Sequence, residues 1–143
     1  MDREMPRQVR NRILAEHAVL RTALDELEAL LDAVAIGGAG LGRRLRRDGA
    51  EFFAEFSAHL DVEDAALVSA LRKVEDGDRM ASRLAREHRE QRESIRELLG
   101  QLEDEAQPIA EIAHELRAFV NSVRIDMENE ETTMLREGLM PES

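Results

Sequence analysis

Four stretches of this chain place apolar residues three and four apart, and each stripe is interrupted at one level by a histidine or an acid. The first stripe is Ile13, His17, Leu20, Leu24, Leu27, Leu31; the second is Leu45, Phe52, Phe56, His59, Glu63, Ala66, Ala70. The third is Ala81, Leu84, His88, Gln91, Ile95, Leu98, Leu102; the fourth is Ile112, Leu116, Phe119, Val123, Asp126, Glu130, Met134. That spacing is the 3.6-residue period of a helix with one buried face. It predicts four helices, over about 7–34, 43–73, 79–104 and 108–137.

The breaks between stripes agree. Gly37, Gly38 and Gly40 follow the first, as glycine does just past a helix end. Glu75-Asp76-Gly77-Asp78 forms a turn in which Asp78 is the expected N-cap of the third helix. Pro108 suits the first position of the fourth, and Gly138 with Pro141 stops it. The second start is ambiguous: Asp48-Gly49-Ala50-Glu51 has the form of a capping box, yet Leu41 and Leu45 continue the stripe upstream. Helices of about 25–30 residues span roughly 38–45 Å, and an antiparallel up-down four-helix bundle with short loops packs them compactly. The expected fold is therefore all-α, a single domain over residues 1–143.

The two halves match each other. Ile13-x-x-x-His17-x-x-x-Arg21 corresponds to Leu84-x-x-x-His88-x-x-x-Arg92, and His59-x-x-x-Glu63 corresponds to Asp126-x-x-x-Glu130. A duplicated helical hairpin, with approximate two-fold symmetry between the pairs, accounts for both correspondences.

Residues i and i+4 share a helix face, so each second motif offers two donors to one point. If the bundle forms, His17, His59, Glu63, His88, Asp126 and Glu130 meet in its interior. Burying unpaired carboxylates costs several kcal/mol per ion even after relaxation. No Lys or Arg lies on the stripes at that level, although Arg21 and Arg92 stand one turn away and could swing in. A bound metal ion is the simplest neutraliser. A lone histidine on a stripe is more often a hydrogen-bonded core residue, and a lone His-x-x-x-Glu is equally weak. Six such residues in duplicated order are a different matter.

The order His, His-x-x-x-Glu, His, Asp-x-x-x-Glu, running from about Arg7 to Met140, resembles the hemerythrin-like, or HHE cation-binding, domains. The resemblance implies a four-helix bundle around a non-haem di-iron centre with bridging carboxylates. By position, it implies His17 and His59 as terminal ligands of one iron, His88 and Asp126 on the other, and Glu63 and Glu130 as bridges. The chain departs from the pattern twice. Asp126 stands where the family usually has histidine, and Arg92 where the oxygen carriers have a further histidine. An oxygen-rich shell favours the ferric state and hard cations. The expectation is poor reversible oxygen carriage, easier oxidation, and Mn or Zn possible at the second position.

Three functions compete. The leading one is a di-iron protein that binds or reacts with O2, NO or peroxide, or handles iron. The others are a ferroxidase- or peroxidase-like enzyme and a degenerate bundle with a regulatory or interaction role. Composition narrows the field further. The chain has no cysteine, which excludes thiolate ligands and disulfides. A net charge of −11 argues against nucleic acid as a partner. Neither a secretory apolar stretch among residues 1–12 nor a membrane-spanning run is present, so a cytoplasmic location is expected. Glu111-x-x-His114 lies off the fourth stripe and reads as surface. The basic run Arg43-Arg44-Leu45-Arg46-Arg47 reads as a solvated face near a loop.

Overall fold

Each apolar stripe winds into a helix with its stripe buried. The computed structural model describes residues 6–37, 40–136 and 139. Helix α1 (Pro6–Ala35) buries Val9, Ile13, His17, Leu20, Leu24, Leu27, Leu30 and Leu31. It ends at Gly37, whose φ of 100° lets its N–H return to the Val34 carbonyl. Helix α2 (Gly42–Val62) passes into a π-helical turn (Glu63–Leu67) and then α3 (Val68–Leu71) without leaving helical dihedrals, so the three form one rod. Helices α4 (Gly77–Glu103) and α5 (Ile109–Thr132) complete four rods, with no strand among the described residues.

Helix α1 packs on α2 and α5, α2 on α4, and α4 on α5. Ion pairs show the antiparallel register. Along α1 and α5, Arg21 meets Glu131, Arg124 meets Asp25 and Glu28, and Arg117 meets Asp32. On α2 and α4, Arg46 donates to the carbonyls of Gln101 and Leu102 at one end, and Arg92 meets Asp61 at the other. Exposed pairs of this kind contribute about 0–1 kcal/mol each. They mark the register; apolar burial holds it.

Several helix ends differ from expectation. The second helix begins at Gly42, so Asp48 lies inside it, paired with Arg44 and Arg47. Asp78 is not the N-cap. Asp76 takes that place in a left-handed conformation (φ 60°), and the helix starts at Gly77. A Cβ at Gly77 would sit 1.5 Å from the Leu71 carbonyl oxygen. The close return of the chain onto the end of α3 therefore decides where α4 starts. Pro108 is the N-cap of α5, one residue outside the helix. Helix α5 stops at Thr132; Met134 and Leu135 stay buried in the turn that follows. Gly38, Gly138 and Pro141 lie outside the described residues.

Two inward assignments also shift. Leu67, not Ala66, is fully buried, because the π turn spaces inward residues four apart at 59, 63, 67 and 71. On α5, Met127 takes the buried place and Asp126 is half-buried.

The core is divided. One apolar cluster runs from Leu20 through Phe52, Phe53, Phe56 and Phe119 to Met127. The other joins Val9, Ile13, Leu67, Leu71, Leu84, Met134 and Leu135. The residues between them along each rod are buried and polar: His17, His59, Glu63, His88, Gln91 and Glu130.

Candidate metal centre

This polar layer is assembled from every rod at one level. His17 follows Ile13 by one turn on α1, His59 lies in the last turn of α2, Glu63 opens the π turn, His88 follows Leu84 on α4, and Glu130 lies near the end of α5. The extra width of the π turn falls on Glu63, which lies against three imidazoles.

Glu63 faces in two directions. Its Oε2 lies 3.1 Å from His59 Nε2 and 3.5 Å from His17 Nε2. Its Oε1 lies 3.0 Å from His88 Nε2. Glu130 Oε1 approaches His17 Nε2 to 3.6 Å. His17, His59 and Glu63 can each turn one donor atom to a common point, those atoms lying within 4.8 Å of one another. Five of the six expected residues are thus drawn together. Asp126 is not: among the described residues it contacts none of the imidazoles, and its Oδ2 accepts a hydrogen bond from Gln91 Nε2 at 2.9 Å.

Each imidazole is held from behind by a carboxylate. His17 Nδ1 is 2.8 Å from Glu131, His59 Nδ1 is 2.8 Å from Glu16, and His88 Nδ1 is 2.6 Å from Asp64. An ionised carboxylate only accepts, so each Nδ1 carries a proton and donates it outward. Every Nε2 then faces the layer, the arrangement that orients metal-binding histidines. Arg21 and Arg92 do not swing in. Arg21 grips Glu131 through both terminal nitrogens, at 2.8 and 2.9 Å, and Arg92 lies 2.7 Å from Asp64.

Sequence reasoning missed Glu16, Asp64 and Glu131. A signal was present: each directly adjoins a candidate ligand. Yet Glu16 precedes His17 and serves His59, so adjacency in the chain does not reveal which imidazole is served.

The electrostatics follow from crowding. Burial opposes a charge on His17, but Glu130, Glu63 and Glu131 outweigh it and push the imidazole up to about 10. Burial likewise opposes charge on His88, and Glu63 with Asp64 raises it. Burial favours the neutral acid at Glu63, yet the imidazoles of His17, His59 and His88 hold it well below the usual range. Glu130 goes the other way, raised well above the usual range by burial and by the neighbouring Glu63 charge. Burial and then the Asp126 charge push Glu87 up to about 7.

These residues fit a cation. His17 Nε2, Glu63 Oε2 and Glu130 Oε1 are buried without a hydrogen-bond partner, and the separations of 3.5 and 3.6 Å between them exceed hydrogen-bond length. Donors around one first-row ion, each at about 2.1 Å, stand roughly 3–3.5 Å apart. Without an ion, protons must neutralise the layer, which is why His17 and Glu130 shift upward.

Two features set aside from the sequence are surface features here. Glu111 and His114 are exposed. Within the basic run, Arg46 has a structural task, donating to the carbonyls of Gln101, Leu102, Asp104 and Gln107 where α4 ends. No helix among the described residues is long and apolar enough to cross a membrane.

No curated protein and no solved structure matches the chain. A family profile, the hemerythrin HHE cation binding domain, matches residues 8–137, almost the whole chain. Together with the helical bundle and its buried His/Glu group, that match shows that the chain belongs to the hemerythrin HHE cation-binding family.

Proposed function

We propose that the chain is a non-haem dinuclear metal protein, with iron as its principal metal, that binds or reacts with a small ligand such as O2, NO or peroxide. The observation that carries this reading is the orientation of Glu63, with Oε2 toward His17 and His59 and Oε1 toward His88. One carboxylate facing two imidazole sets suits a bridge between two ions. His17 and His59 would hold the first ion, His88 and Asp126 the second, with Glu130 as the other bridge. When bound, a pair of irons supplies electrons and open coordination positions to a small ligand.

The protein's own residues do the rest. Glu131, Glu16 and Asp64 hold three imidazoles in one tautomer. The clusters around Phe56 and Leu67 exclude bulk water from both sides. Arg92, committed to Asp61 and Asp64, adds no ligand to the second position. That supports a reactive or sensing role over reversible oxygen carriage.

Metal analysis of protein purified from its native host tests the reading. About two irons per chain, with near-ultraviolet absorption of a ferric pair, is the expected result. A careful preparation that holds no metal and takes up none would overturn it.

A further inference from the structure

The two halves of the bundle serve as internal controls for each other. In the first half, Glu16, His17 and Leu20 lie on one face of α1. Glu16 accepts the Nδ1 proton of His59, and Leu20 is buried in the apolar core. At the matching places in the second half stand Glu87, His88 and Gln91, and Asp126 replaces the histidine that would face Glu87. The substitution removes the N–H that a carboxylate at position 87 would accept.

The consequences are local. Glu87 Oε1 is buried without a partner. Gln91, where the first half has leucine, is only 6% exposed; its Nε2 donates to Asp126 and its Oε1 is also buried and unpartnered. A buried carboxamide oxygen left unpaired is destabilising, and leucine at this place avoids that cost. With Asp126 on its own Nε2 and Glu87 one turn before it on α4, such an oxygen is a donor suited to a hard cation.

We propose that Glu87 and the side-chain oxygen of Gln91 join Asp126 and His88 as ligands of the second ion, making an oxygen-rich position for a hard divalent cation such as Mn²⁺. The inference rests on the dinuclear reading above. It makes the two positions chemically unlike: His17 and His59 give the first two nitrogens, while the second has His88 alone among oxygens.

The test is Mn²⁺ titration of the chelator-treated full chain, with bound metal counted directly and the coupling between ions read by electron paramagnetic resonance. Wild-type protein is expected to bind two ions. Glu87→Gln and Gln91→Leu should each weaken the second about tenfold or more, by analogy with the loss of supporting ligands. They should leave the first unchanged and convert the coupled signal to that of an isolated ion. Circular dichroism and thermal melting establish that both variants fold, and Gln91→Leu should melt no lower than wild type without metal. If wild type and both variants all hold two ions with equal affinity, the inference fails while the dinuclear reading stands. If wild type itself takes up fewer than two Mn²⁺ ions, the inference fails, and the iron count of the native protein decides the dinuclear reading separately.

Discussion

His88 Nδ1 and Asp64 Oδ1 stand 2.6 Å apart, the shortest of the three contacts that turn an imidazole Nε2 toward the polar layer. Asp64 is itself steadied by Arg92 at 2.7 Å. His17, Glu131 and Arg21 repeat the arrangement across the bundle.

If these carboxylates orient the imidazoles, Asp64→Asn should weaken metal binding at the His88 side by roughly 10–100-fold. Glu131→Gln should do the same at His17. Chelator competition measures both. Affinities equal to wild type would reduce the contacts to surface ion pairs.

Glu63 and Glu130 should respond oppositely to neutralisation. Without metal, Glu63 is held ionised by three imidazoles, so Glu63→Gln leaves positive charge buried and should cost about 3–5 kcal/mol in urea unfolding. Glu130 is shifted toward its neutral form by burial and the Glu63 charge, so Glu130→Gln should change metal-free stability by less than about 1 kcal/mol. Both should lose metal. Equal destabilisation by the two variants would contradict this charge assignment.

The pH dependence of the metal-free protein follows by linkage. Glu87, raised from 4.5 to about 7, binds more protons folded than unfolded between those values, so its contribution falls as pH rises through that window. His17, raised from 6.5 to about 10, contributes fully below 6.5 and loses that contribution as pH climbs toward 10. Glu63, held low, gives up its contribution as pH drops below 4.5. Urea melts should therefore show metal-free stability declining from about pH 4.5 toward 10. Metal affinity should rise over the same range, since a metal must displace the His17 proton. Calorimetry in buffers of different ionisation enthalpy should detect proton release on binding; its absence at pH 7 would rule out a protonated His17.

Gly77→Ala tests the turn between α3 and α4. Its Cβ would fall 1.5 Å from a backbone oxygen, which no side-chain rotation relieves. Destabilisation of about 3 kcal/mol or more is expected, read as a lowered urea midpoint. A change under about 0.5 kcal/mol would mean that the chain passes α3 at a greater distance.

Fold class and the four rods were legible in the sequence because helix periodicity is a local property, written in Ile13, His17, Leu20 and Leu24 as clearly as in Leu84, His88, Gln91 and Ile95. The shared level of His17, His59, Glu63, His88 and Glu130 was legible too, since short loops keep antiparallel rods in register; the place of Asp126 was not. Helix ends were less so. Asp78 lost the cap to Asp76 because Gly77 lies against Leu71, a contact that no reading of the turn alone contains.

What the sequence determined by itself was the set of buried faces and the presence of imidazoles and carboxylates on them. Tertiary structure alone decided the pairings: Glu16 with His59, Glu131 with His17, Asp64 with His88, and Gln91 with Asp126. The physical reason is that a carboxylate finds its partner across a helix interface. The crossing of two rods, and not the number of residues between them, sets that distance.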